Sequence, residues 1–269
     1  MADDRVPYGG PCGAAEAYDA FHRGRASTPL VARLYALAMG DDHPAEVQAS
    51  SSCDWPLLGL LVARLRLRPG QRLVDLGCGT GGVGLWLARA HSVHLTGIDI
   101  SPVAIGLAAA RRPYFLPPGR ADFRVATMER TGLPDGCADG IVCIDTLGKA
   151  HSPMRALLET RRLLKPGGRM AVTTARRHSA PSPWAERAAA VGLELVAEDA
   201  RPDEPAMWRR LYRLWTDHEE ELRRDVGDAR TDSMIREARR TLPTLDARRA
   251  FLITLRRGSD PSGEPYATA

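Results

Sequence analysis

Apolar residues along this chain switch repeatedly between two periods, and the switching predicts the architecture. Short runs with strand character lie at Arg72–Leu76, His94–Ile98, Phe123–Ala126, Gly140–Ile144, Arg169–Thr174, Glu194–Ala197 and Arg249–Leu255. Helical spacing marks Gly82–Ala90, Pro102–Arg111, Pro153–Leu164 and Pro183–Val191 between them. Strands alternating with helices of about ten residues imply crossover connections and a parallel sheet. Ahead of the first strand, Thr28 offers an N-cap with Pro29 at the first helical position, followed by Leu30, Val31, Leu34 and Leu37. A further helix reads from Asp54, with Leu57, Leu58, Leu61 and Leu65 on one face, and stops at Arg68-Pro69-Gly70. The opening stretch to about Gly24 has weak periodicity and yields no element.

Two helices, Ala206–Arg224 and Asp232–Arg240, interrupt the alternation before the last strand. The pattern divides the chain into a helical N-terminal cap (1–68), an α/β core (69–202), a helical lid insertion (203–246), a final core strand (247–257) and a tail (258–269). The tail is rich in Ser, Pro and Gly and is expected to be disordered.

Composition narrows the class. The chain has 269 residues, of which 44% are hydrophobic and 26% charged, as in soluble globular proteins. No apolar run approaches the ~18 residues that span a bilayer. Met1-Ala2-Asp3-Asp4-Arg5 carries acid where a secretory signal needs a basic start. A cytoplasmic protein with no membrane partner is expected. The 37 Lys+Arg exceed the 33 Asp+Glu by four, and the basic residues are scattered arginine doublets, such as Arg161-Arg162 and Arg239-Arg240, which read as solvated helix faces. No nucleic-acid partner is expected. Only Lys149 and Lys165 are lysines, and with the many alanines this fits codon bias in a GC-rich bacterium. Five cysteines without a C-x-x-C pair argue against a disulfide framework or a zinc site, and no metal is expected.

The chemistry concentrates at Val74-Asp75-Leu76-Gly77-Cys78-Gly79-Thr80-Gly81-Gly82, at the end of the first core strand. Gly77, Gly79 and Gly82 fit G-x-G-x-x-G, and Asp99 ends the next strand, where a carboxylate can take both hydroxyls of a ribose. This would serve a dinucleotide, but Asp75, two residues before the first glycine, would repel a pyrophosphate in a partly desolvated crevice. A ligand with a cationic amino group would be attracted instead. S-adenosylmethionine has that character.

At these residues the chain resembles the class I S-adenosylmethionine-dependent methyltransferases. Further segments carry the resemblance: Gly97-Ile98-Asp99-Ile100-Ser101 at the ribose-binding strand end, Leu133-Pro134-Asp135-Gly136 followed by Asp139-Gly140-Ile141-Val142 before strand four, and Leu163-Leu164-Lys165-Pro166-Gly167-Gly168 at the turn into strand five. The resemblance implies a Rossmann-like α/β fold with a mostly parallel seven-stranded sheet, helices on both faces, and the helical cap and insertion as additions. It implies S-adenosylmethionine or S-adenosylhomocysteine as cofactor, held by Asp75, Gly77, Cys78, Gly79, Asp99, Ile100, Thr127, Met128, Glu129 and Asp145, with Tyr18 from the cap. Thr127 stands where many relatives carry an acid for the adenine amino group; its hydroxyl can still accept a hydrogen bond, and Met128 can pack on the ring.

After strand four, His151 and Lys149 are the candidates for deprotonating an acceptor, against the plainer reading that both face solvent. The segment Asp145-Thr146-Leu147-Gly148 lacks the Asn/Asp-Pro-Pro-aromatic signature of amino methylation of DNA bases. Cys143 has no adjacent proline for cytosine chemistry, and Thr173-Thr174-Ala175 lacks the second acid of metal-assisted catechol methylation. A small-molecule acceptor is left. Met207, Trp208, Leu211, Tyr212 and Trp215 form a stripe that reads either as helix packing or as a pocket for a bulky apolar ligand, with Trp55 a further pocket candidate. The family likeness implies a small-molecule methyltransferase of bacterial natural-product pathways, acting as a monomer or homodimer. The alternative is a methyltransferase-fold pericyclase of polyketide pathways, in which the cofactor is structural.

Overall fold

A computed structural model describes residues 11–258. The expected disordered tail beyond Gly258 lies outside the described residues. Seven strands form one sheet: β1 (Arg72–Leu76), β2 (His94–Asp99), β3 (Ala121–Val125), β4 (Ala138–Cys143), β5 (Leu164–Arg177), β6 (Glu194–Arg201) and β7 (Arg248–Arg256), in the order β3-β2-β1-β4-β5-β7-β6. All pairings from β3 to β5 are parallel, whereas β7 runs antiparallel to both β5 and β6. Strand order reverses between β1 and β4. That is where open sheets of this kind form a ligand crevice at their carboxyl ends.

Helices α3 (Trp55–Leu65), α4 (Gly82–His91), α5 (Pro102–Arg111), α6 (Pro153–Leu163) and α7 (Trp184–Ala190) accompany the sheet. Their starts follow local chemistry. Asp54 accepts from Leu57 N (2.7 Å) at the start of α3, and Ser101 Oγ accepts from Ala104 N (3.1 Å) at the start of α5, with Pro102 in the first turn. One core layer joins Val74, Leu76, Ile141, Leu157, Met170 and Trp184; the other joins Leu57, Leu61, Leu73, Leu85, Val142 and Leu252. The alternation of β1 residues between the two layers is the period-two signal that marked it as a strand.

The remaining helices are α1 (Pro11–Ser27), α2 (Leu30–Met39), α8 (Glu204–Asp217), α9 (Glu219–Val226) and α10 (Asp228–Thr241). The N-terminal cap and the insertion share one apolar cluster, in which Leu34, Tyr35 and Met39 of α2 meet Leu211 and Trp215 of α8 and Met234 of α10. Helices α2, α8 and α10 are therefore a single helical layer. Two expectations are corrected here. Within the opening stretch, residues 11–27 form α1, which escaped detection because polar contacts anchor its inner face, with Asp19 Oδ1 accepting from Ser101 Oγ (2.5 Å) and Val103 N (3.3 Å), and Arg25 Nη2 donating to Gln48 O (2.8 Å). The insertion holds three helices rather than two, because the chain leaves helical geometry at His218 and again at Gly227.

Cap and core are also joined by a buried polar network. Arg201 at the end of β6 donates to Ser52 Oγ (2.8 Å) and Ser52 O (2.5 Å) and pairs with Asp54 (3.4 Å). Removing one partner of such a buried group leaves the others desolvated and unpaired. Arg201→Met should therefore lower the urea-unfolding free energy by about 3 kcal/mol. Arg256→Met, which breaks a solvent-exposed pair with Glu194, should leave the urea midpoint nearly unchanged.

Candidate cofactor site

The crevice between the carboxyl ends of β1 and β4 is shaped first by what its backbone excludes. Gly77 has φ +72°, and a Cβ there would lie 2.7 Å from the Thr146 side chain. At Gly82, the first residue of α4, a Cβ would meet Val47 O at 1.8 Å, so the cap segment presses directly on the helix start. Arg111 holds this arrangement from the side. Its Nη1 donates to Thr80 O (3.1 Å) and Thr80 Oγ1 (3.2 Å), and its Nη2 to Glu46 O (2.8 Å) and Val47 O (3.0 Å). Thr146 Oγ1 donates to Leu76 O (3.0 Å), tying the loop after β4 to the end of β1.

Two carboxylates flank the loop. Asp99 at the end of β2 accepts from Gly79 N through Oδ2 (2.8 Å) and from Ser101 N through Oδ1 (2.9 Å). Burial raises its pKa above the ordinary carboxylate range, opposed by these N–H groups. Asp75 is buried and turned toward α4, where Oδ2 accepts from Gly84 N (3.1 Å), one of the first-turn amides without a partner inside the helix. Burial pushes its pKa up to about 7, with the Asp99 charge adding to the effect. A cation brought beside it would favour the ionised form.

The other residues singled out from sequence are distributed as follows. Cys78 and Ile100 are half-buried beside Gly79 and Asp99, and burial raises the Cys78 thiol pKa far above its usual value. Beyond β3, Thr127 and Arg130 form a tight turn, Met128 packs against the core, and Glu129 accepts from Ser152 N (3.1 Å). Asp145 adopts φ +56°, in the left-handed region. Its Oδ2 accepts from Ser52 N (2.6 Å) and Ser52 Oγ (2.8 Å), and its Oδ1 from Thr173 Oγ1 (2.8 Å). His151 and Lys149 are both exposed. Tyr18 is half-buried on α1.

The aromatic candidates separate into two groups. Trp55 is 41% exposed and packs edge-on against Trp86 of α4, away from the helical layer. Met207, Leu211, Tyr212 and Trp215 are buried against α2 and α10, so their spacing reflects packing within that layer. Trp208 stacks on Tyr212 at 5.5 Å and donates from Nε1 to Glu204 Oε1 (2.9 Å), which Arg248 Nη2 also contacts (2.5 Å).

Sequence reasoning missed Arg111, Ser52, Arg201 and the polar face of α1. On that face Asp19, His22 and Arg25 recur every three residues, a polar stripe invisible to a search for apolar periodicity. His22 is buried, and its ring carbon Cε1 lies 3.6 Å from where a Cβ on Gly79 would sit.

The topology, the glycine turn and the acid ending β2 define a nucleoside-binding α/β protein of the doubly wound class. Comparison with known proteins takes this further. Residues 74–172 match the family model for a methyltransferase domain. The ubiquinone biosynthesis O-methyltransferase of Xanthomonas campestris pv. campestris is 30% identical over 169 residues, covering 58% of this chain and 67% of that protein. An S-adenosyl-L-methionine-dependent Diels-Alderase of Talaromyces variabilis is 34% identical over 119 residues, 44% of this chain and 40% of the relative. The crystal structure of the [4+2]-cyclase SpnF superposes with a TM-score of 0.71 at 22% identity, covering 92% of this chain and 96% of that one. The chain spans about half the length of the fungal O-methyltransferases that it also matches. It belongs to the class I S-adenosylmethionine-dependent methyltransferase family.

S-adenosylmethionine is the cofactor of that family, and the residues present fit it. Asp99 retains acceptor capacity for ribose hydroxyls, the glycine turn admits close approach, and buried Asp75 suits a cationic ligand. The sign of Asp75's own contribution follows from its raised pKa. Between about pH 4 and pH 7 the folded chain binds more protons at this site than the unfolded chain, so the site loses stability as pH rises through that window. The unfolding free energy of Asp75→Asn minus that of the unsubstituted protein should therefore increase from pH 4 to pH 7 and level off above. Urea titrations at several pH values would show this, and a difference independent of pH would contradict it.

Proposed function

We propose that this chain is a methyltransferase acting on a bulky, largely apolar small molecule of bacterial secondary metabolism, with a hydroxyl oxygen as acceptor. The observation that carries the reading is the meeting of the glycine cradle with the loop after β4, beneath a helical layer. Gly77 abuts Thr146, and Asp145 next to it is bonded to Ser52 of the cap. The glycine turn, the loop after β4 and the cap are thus joined by direct contacts. The O-methyltransferases among the relatives support oxygen as the atom modified.

S-adenosylmethionine, when bound, supplies an electrophilic methyl group on its sulfonium. The chain's part is to orient and exclude water. Asp99 would hold ribose hydroxyls, the Gly77–Gly79 backbone would line the ligand, and Asp75 would favour its ammonium. The helical layer formed by α2, α8 and α10 would help to exclude water from the acceptor side. Proton removal is a smaller part. His151 and Lys149 face solvent, and Asp145 has both carboxylate oxygens engaged. This favours an acceptor whose hydroxyl ionises readily, a phenol or a carboxylic acid, over an aliphatic alcohol that needs a strong base.

The same solvent-facing placement of His151 and Lys149 also supports a second reading, a cyclase in which the cofactor is structural. A cycloaddition needs shape and hydrogen bonds, with no base. The Talaromyces Diels-Alderase similarity points the same way. Incubation with methyl-labelled S-adenosylmethionine and phenolic or carboxylic polyketide acceptors, followed by mass spectrometry, separates the two. Methyl transfer gives a product one labelled methyl heavier, with S-adenosylhomocysteine formed in equal amount. An isomer at unchanged mass with the cofactor intact would replace the first reading by the second.

A further inference from the structure

The polar face of α1 crosses the cofactor crevice in three steps. Asp19 bonds the start of α5 beside Asp99, Arg25 bonds Gln48 and Ser50 of the cap, and His22 lies between them over Gly79. The two outer residues are satisfied by protein partners. His22 is not: it is 6% exposed, and its buried Nδ1 has no hydrogen-bond partner. Cε1, which lies between the two ring nitrogens, is 3.6 Å from where a Cβ on Gly79 would sit, so the nitrogen-bearing edge of the ring lies at the glycine turn. A buried, unpartnered imidazole nitrogen costs free energy unless a ligand supplies the missing bond.

The surroundings select which ligand group that is. Arg25 on the same helix and Arg230 of α10 both act electrostatically on the ring, with Asp19 the opposing acid. Burial, reinforced by the two arginines, pushes the pKa of His22 down to about 4, so the ring is neutral at pH 7 and carries one N–H. An ammonium or sulfonium would be repelled from this neighbourhood. The carboxylate is the one anionic group on S-adenosylmethionine, and it is attracted.

We propose that His22 is the contact through which α1 holds the amino-acid end of the cofactor, its Nδ1–H donating to the ligand carboxylate. The inference rests on the crevice being an S-adenosylmethionine site, and its test separates the two claims. The full chain is titrated calorimetrically with S-adenosylhomocysteine and with 5′-methylthioadenosine, which keeps the nucleoside and thioether but lacks the amino-acid end. His22→Phe retains a buried ring without the N–H, and His22→Asn places an amide donor near the Nδ1 position. His22→Phe should weaken S-adenosylhomocysteine binding by roughly tenfold or more, the worth of a hydrogen bond to a charged group. It should change 5′-methylthioadenosine binding by less than about twofold on the same scale, and His22→Asn should recover most of the loss.

Equal weakening of both ligands would show that His22 only holds α1 in place and would overturn the proposal, as would no weakening of either. If the unsubstituted protein binds neither ligand, the cofactor site itself falls and the inference with it. Nitrogen NMR of the histidine rings in the unsubstituted protein gives a readout independent of any variant. The Nδ1 resonance of His22 should shift with S-adenosylhomocysteine and stay unmoved with 5′-methylthioadenosine; the same shift with both ligands would contradict the assignment.

Discussion

The guanidinium of Arg111 and the absence of side chains at Gly77 and Gly82 impose one constraint on which the rest of the molecule depends. Four donor contacts from Arg111 fix the glycine turn to the cap segment around Val47. No Cβ fits between that segment and the start of α4, or between Gly77 and Thr146. The β1–α4 turn, the loop after β4 and the N-terminal cap are consequently held at van der Waals distance around one crevice. Any shift of the turn would be felt at Thr146, whose hydroxyl reaches back to Leu76, and through Asp145 at Ser52 and Arg201. Close packing of this kind transmits strain instead of absorbing it.

The electrostatics of the crevice follow from the same compactness. Asp75 is buried and Asp99 half-buried, and the Asp99 charge raises the cost of ionising Asp75. On the opposite side, the helical layer brings Arg25 and Arg230 toward the glycine turn. The crevice thus has carboxylates on the sheet side and, on the α1 side, Arg25 and Arg230 around His22, opposed by Asp19 nearer α5. A ligand with two cationic centres and one carboxylate matches that polarity, and a pyrophosphate does not. The glycine pattern alone leaves the two ligands open. The residues around it separate them.

Much of the core was legible in the sequence. Strand β1 and helix α5 have the predicted ends, because Arg68-Pro69-Gly70 and the Ser101-Pro102 cap define them locally. The crevice glycines and Asp99 were legible for the same reason: their spacing expresses backbone geometry. Helix α1 was not, since its face toward the core is polar and its partners Ser101, Gln48 and Gly79 lie far away in sequence. The Ser52–Asp145–Arg201 network was hidden likewise, joining residues separated by 93 and 149 positions. The spacing from Met207 to Trp215 expresses one apolar helix face. What it faces, namely α2 and α10, depends on tertiary packing that periodicity does not encode.

In this arrangement α1 and the glycine turn together would enclose the cofactor. Hydrogen–deuterium exchange of the protein with and without S-adenosylhomocysteine tests it most directly, because it reports the backbone of both walls at once. Exchange should slow in three segments: residues 75–84, residues 99–103 and the stretch of α1 from Asp19 to Arg25. Protection of the glycine turn with no change in α1 would contradict the enclosure, and protection confined to other regions would contradict the site.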